Sequence, residues 1–293
     1  MTTTPATAGA TVAPVRLPAR GLRQDLRAAK MVCQRELIRY SRDRARMVSA
    51  LVQPVLWLFV LGTGLSPVIS RGAAAGGVDF RTFLFPGVLA MSLLFTAAFS
   101  GVSIVWDREF GFLREMLVAP VRRSAIIVGK AFGGATVATI QSLVMLALAG
   151  LVHVPYSPSL LLQLAGLLFL AAFTITAFGI MLSARLRQIQ TIMPMMQMVM
   201  APMMFLSGAL FPLSNLPTWL QVLTRLNPLT YAVDPMRAVV FQHLHLSQAA
   251  QHALRPGVTW GGWPVPTALE VLLLAVMSVA MLTVAILRFD HTE

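Results

Sequence analysis

The chain has 293 residues, of which 57% are hydrophobic and only 12% charged, with a mean hydropathy of +0.74. A soluble domain carries roughly a quarter charged residues, so this composition excludes an ordinary soluble enzyme and points to a bilayer. The net charge is +12, but ten of the 23 Lys and Arg fall within residues 1–46. That clustering reads as anchoring beside a membrane and not as a nucleic-acid-binding face.

In chain order, residues 1–21 are rich in Thr, Ala and Pro and are predicted to be a disordered cytoplasmic tail. They lack the apolar centre of a signal peptide. Residues 22–46 follow as a basic amphipathic helix. Leu22, Leu26, Ala29, Cys33, Leu37 and Tyr40 recur at three- and four-residue steps, while Arg23, Arg27, Lys30, Arg35 and Arg39 fall largely elsewhere. Such a helix suits the headgroup layer. Six apolar stretches then reach the roughly 20 residues that a span needs: 47–65, 83–106, 125–152, 160–183, 190–212 and 266–287. The fold class is therefore all-α integral membrane, with six spans behind an interfacial helix.

An even count puts both termini on one side. Eighteen basic residues fall in the segments on that side and five (Arg71, Arg81, Arg225, Arg237 and Arg255) on the other, which makes the first side cytoplasmic. Residues 213–265 form a long external loop. Pro and Asn punctuate two short pieces within it, each too short to cross and expected to re-enter the outer leaflet.

The loop between the second and third spans is unusual. Residues 107–118 combine Asp107, Arg108, Glu109, Phe110, Gly111, Arg114 and Glu115, where a simple reversal needs only a few small polar residues. Acids, arginines and aromatics together form a docking surface for a partner outside the membrane. Gly111 would let backbones approach closely, and the charges would pair with that partner. The fifth span carries Met195, Met196, Gln197 and Met200 among its many methionines. Their adaptable side chains, with Gln141 from the third span, are candidates for lining a substrate path.

Several chemistries are missing. No phosphate-cradling G-x-x-x-x-G-K-[ST] motif occurs, because Gly129-Lys130 is followed by Ala131. Neither G-x-S-x-G nor H-E-x-x-H appears, so no hydrolase site is expected. With one cysteine, Cys33, there is no disulfide and no cysteine metal cluster. The histidines 243, 245 and 252 have no nearby acid and read as a solvated stretch, so no metal site is expected. Lys130 and Glu270 sit near span ends, where their charge can reach the interface. A coupled secondary transporter usually needs an acid at mid-depth, and none is evident.

The run Arg108-Glu109-Phe110-Gly111-Phe112-Leu113-Arg114-Glu115, then Ala119-Pro120-Val121 and Lys130, resembles the cytoplasmic loop of ABC-2-type transporter permeases. Leu226-Asn227-Pro228-Leu229-Thr230-Tyr231 resembles the external motif of the same family. Within that family the chain looks most like the daunorubicin-resistance and nodulation-factor export branches, over about residues 22–290.

The resemblance implies a permease subunit that binds no cofactor itself, with ATP and Mg on a separate ABC ATPase. It further implies a second permease protomer, identical or a sister chain. Residues 107–118 would be the coupling helix and 22–46 the connecting helix. The implied function is ATP-driven export of an amphiphilic, drug-like or lipid-like compound across the cytoplasmic membrane. Two alternatives stay open: export of a lipid-linked glycan or cell-wall precursor, and a non-transport scaffold or sensor subunit.

Overall fold

The computed structural model describes residues 21–64, 80–118, 121–152, 154–210, 217–244, 257–260 and 263–290. The expected tail and parts of the 213–265 loop lie outside these residues. The chain runs through α1 (Leu22–Arg42) and α2 (Arg44–Leu56), which continues through a π-helical turn, Trp57–Leu61. Then come α3 (Phe80–Glu109), α4 (Phe112–Val118), α5 (Arg123–Leu146), α6 (Pro158–Ser183), α7 (Ile189–Phe205), α8 (Thr218–Leu226), α9 (Thr230–Gln242) and α10 (Thr267–Asp290). A pair of two-residue antiparallel strands, Thr259–Trp260 with Trp263–Pro264, precedes α10.

Among the described residues, five segments are long and apolar enough to cross a membrane: Arg44–Gly64, Phe80–Glu109, Arg123–Leu146, Pro158–Ser183 and Thr267–Phe289. The remaining predicted span is α7, a 17-residue helix interrupted by Pro194 and Pro202. At 1.5 Å per residue it is about 25 Å long, short of a hydrocarbon core of about 30 Å. Its first amide is held beside the 107–118 loop, and carbonyls at its end accept bonds from Asn227 and Thr230. The predicted 125–152 span is divided, with α5 ending at Leu146 and a 3-10 turn over Ala149–Val152.

Helix α3 is the axis of the bundle. Its apolar window is 83% buried, against 17% for the span through α2 and 22% for α10. Lipid tails are as apolar as leucine, so burying Leu or Phe among helices gains little by itself, and close backbone approach matters more. A Cβ on Gly101 of α3 would lie 2.7 Å from the Cα of Gly179 on α6. One on Gly134 of α5 would lie 2.6 Å from Thr176 Cγ2. These small residues let α3, α5 and α6 meet.

The face by which α1 packs shares only part of the predicted stripe. Leu22 and Leu26 are exposed, whereas Ala29, Cys33, Glu36 and Tyr40 turn towards the bundle. The reason lies on α5. A Cβ on Gly129 would lie 2.6 Å from the Ala29 carbonyl oxygen, and one on Gly133 would lie 3.1 Å from Cys33 Cα. Two glycines one turn apart thus open a groove for α1. Helix α9 falls within the 213–265 segment: Thr230 to Phe241 are all buried, so it is a plug among α3, α6 and α10 with no open face.

Candidate functional site

The loop predicted as one docking element has two parts. Helix α3 continues to Glu109 and then breaks: the Phe110 N–H bonds to the Trp106 carbonyl at 3.0 Å, and Gly111 takes φ 81. That left-handed conformation strains any residue with a Cβ, so glycine is required by the turn itself. A Cβ there would meet nothing within 4 Å. The separate helix is only Phe112–Val118, not 107–118.

Before the break, all three charged side chains serve their own chain. Arg108 donates to the carbonyls of Leu186 and Ala184 at 2.5 and 3.0 Å and lies over the Phe289 ring. Glu109 accepts the Ile189 N–H at 2.8 Å. Adjacent residues therefore place a cation on the carbonyl end of α6 and an acid on the amide end of α7, as the two helix dipoles favour. Asp107 is 1% exposed and faces inward. After the break, Phe110 is 60% exposed, Phe112 is 50% exposed and Glu115 is exposed, while Leu113 is buried beneath them. Arg114 stands on α4, and its side chain lies outside the described part of the structure.

Asp107 belongs to an ionic joint that the sequence reading missed. Lys130 Nζ lies 2.5 Å from Asp107 Oδ2 and 3.0 Å from Glu36 Oε1, and it donates to Ser103 Oγ at 3.0 Å. The Arg35 guanidinium donates to Asp107 Oδ1 at 2.5 Å, and its other nitrogen reaches Met116 Sδ at 3.3 Å. Lys130 is 1% exposed, so the expectation that its charge reaches an interface is corrected: two carboxylates neutralise it inside the protein. Glu270 is likewise fully buried. Helices α1, α3 and α5 thus meet at one charge cluster, and Arg35 extends it to the base of α4. Further out, Asp25 of α1 accepts the Arg122 N–H at 3.2 Å, just before α5.

A cavity of about 490 Å³ opens beside this joint, between α1, α2, α3, α5 and one residue of α7. Its wall includes Arg39, Arg46, Gln53, Phe95, Phe99 and Trp106. Of the predicted pathway residues none lines it; α7 contributes Met193 instead. Met196 and Met200 are buried in the core, Met195 is half-buried and Gln197 is exposed. Gln141 is buried, bonded to the Tyr40 hydroxyl and donating to the Met47 carbonyl at 3.2 Å. Among the described residues no group of three His, Cys, Asp or Glu could hold a metal ion. The His243 ring instead meets Ser159 and the Val239 carbonyl.

The model of the ABC-2 type transporter family matches residues 27–241, from α1 through the buried plug α9. The chain belongs to the ABC-2 type transporter family. It is 30% identical over 210 residues to the protein named transport permease ycf38 of Cyanophora paradoxa, covering 71% of this chain and 72% of that one. It is 28% identical over 201 residues to Nodulation protein J of Rhizobium leguminosarum bv. trifolii (68% and 75%). It is 27% identical over 183 residues to the protein named multidrug ABC transporter permease YbhR of Escherichia coli K12 (62% and 50%). As an ABC-2 permease the chain is a multi-pass membrane subunit, and the ATPase activity of such a transporter lies in a separate ATP-binding subunit.

Proposed function

We propose that this permease forms the membrane half of an exporter that moves an amphiphilic, drug-like or lipid-like compound out across the cytoplasmic membrane. In this reading α7 is the sixth span, and both termini are cytoplasmic. Two permease protomers pair through apolar faces that one chain leaves uncovered on α2 and α10, and each docks an ABC ATPase. The carrying observation is the division of the loop at Gly111. Phe110, Phe112 and Glu115 stand free on a tip, while Asp107, Arg108 and Glu109 root that tip into α1, α5 and the α6–α7 turn. A tip held in an ATPase cleft would thereby move several membrane helices together. Arg114 joins the docking set by its place on α4.

The test is affinity purification of the tagged permease from its native membrane, followed by ATPase assay. An ATPase should accompany the wild type, and Phe110→Ala with Glu115→Ala should release it or uncouple it from transport. Unchanged ATP-dependent efflux in that variant would reject the docking assignment. A lipid-linked glycan is the second reading, because Phe95, Phe99 and Trp106 line the cavity and such rings stack on sugars.

A further inference from the structure

We infer that the cavity beside α1 binds an anionic amphiphile, with its phosphate or carboxylate headgroup held between Arg39 and Arg46 and its apolar body running along α3. The inference deepens the exporter reading by naming a substrate class, but the site stands on this chain's own residues.

Charge comes first. Three carboxylates lie at or near the wall, and all are engaged. Glu36 pairs with Lys130, Asp107 with Lys130 and Arg35, and Asp43 accepts the Arg46 N–H at 3.1 Å. Against them stand four cations: Arg35, Arg39, Arg46 and Lys130. Arg39 lies 3.9 Å from the shared Asp107 and rests on the Trp106 ring at 5.9 Å. Among the described residues no carboxylate lies within ion-pair distance of the Arg46 guanidinium. Four cations against three carboxylates leave one positive charge in excess, and it falls on the side of the cavity lined by Arg39 and Arg46, with Asp43 in the same wall. Guanidinium forks match carboxylate and phosphate oxygens in pairs.

Shape comes second. Helices α2 and α3 line the space side by side, with Arg46 and Trp106 at the loop end and Gln53 and Phe95 deeper. Phe95 lies three turns from Trp106, about 16 Å along the helix. The wall thus carries the arginines at the loop end and only uncharged residues deeper, where Phe95 and Phe99 interleave with Thr96 and Ser100, which a charged headgroup joined to an apolar chain would follow. The volume of about 490 Å³ falls in the range of small-molecule sites.

The test uses the full permease, purified with whatever ATPase accompanies it, and titrates 1-oleoyl-lysophosphatidate against neutral monooleoylglycerol. The wild type should prefer the anion by at least about tenfold, a typical contribution of hydrogen bonds to a charged group. The double variant Arg39→Gln/Arg46→Gln should lose that preference while still binding monooleoylglycerol, which also shows that it is folded. Lysine at both positions should keep part of it. Equal affinity for the two ligands in the wild type, or a preference that survives the double variant, would overturn the inference. Absence of any ATPase alongside intact anion preference would instead reject the exporter reading and leave the site standing. After vanadate trapping of the complex, loss of the anion marks it as cargo and retention marks a resident lipid; both uphold the site.

Discussion

The two ends of the bundle bury polar groups around different spaces. At the loop end, charge is neutralised by charge across three separate helices, with Glu36, Asp107 and Lys130 drawn together beside a cavity of about 490 Å³. At the far end, where Asp234, Arg237 and Glu270 are also buried, main-chain carbonyls accept from several polar side chains. Asn227 donates to the Met203 carbonyl at 2.7 Å, Thr230 to that of Leu206 at 3.2 Å, and Arg237 to that of Gly208 at 2.8 Å. Arg237 also lies over the Phe83 ring at 4.4 Å, and the void beside it measures about 10 Å³. Carbonyls at the end of α7 are fixed by the backbone, so the far end is a filled cap. Side-chain ion pairs between independent helices can separate and re-form, so the loop end is a joint.

The largest effect should come from Lys130→Met, which leaves two buried carboxylates facing each other. A loss of about 3–5 kcal/mol is expected, read as a lowered unfolding midpoint in detergent. A smaller loss than for Asn227→Ala would break the contrast between the two ends.

Next is Gly133→Leu, whose side chain must displace Cys33 and Glu36 of α1, at about 1–3 kcal/mol. It carries a second readout. Burial, and then Glu36, hold the Cys33 thiol above its ordinary range. Less thiolate is present at a given pH, so maleimide labelling should be slow at neutral pH and rise as pH increases. Prying α1 away should speed it, and an unchanged rate would deny that the glycine groove seats α1.

Asn227→Ala should cost about 1–3 kcal/mol, because it orphans the Met203 carbonyl and the Leu229 N–H. Cys33 labelling should not respond. Phe110→Ala should shift stability by no more than about 0.5 kcal/mol, since its ring is exposed. Its effect should appear only in coupling to the ATPase, and a large loss of stability would place the ring inside the structure.

The loop was legible because a block of acids, arginines and aromatics between apolar runs has no other simple reading. Its internal division was less so: Gly111 was visible, but only the fold makes it a helix break with φ 81. Periodicity found α1 and most of its inward stripe, but Leu22 and Leu26 at its start are exposed and Glu36 joins the inward face. A repeat of apolar residues says which side chains share a face, not whether lipid or protein covers it. The glycines that decide this stand about a hundred residues further on. The ionic joint was hidden for the same reason, since Glu36, Asp107 and Lys130 come from three elements and none has a local partner. Lys130 sits two turns inside α5, and that depth, with an acid on the inner face of α1, was the available hint.

The joint also constrains how relatives of this chain can diverge. Asp107 answers Lys130 and Arg35 together, and Lys130 answers Glu36 as well. A substitution at any one of them strands a charge on another, so single steps away from the set run uphill. The positions should therefore vary as a unit across lineages. Descendants that lose the lysine should have lost or neutralised an acid too, leaving a signature of paired replacement readable from sequences alone.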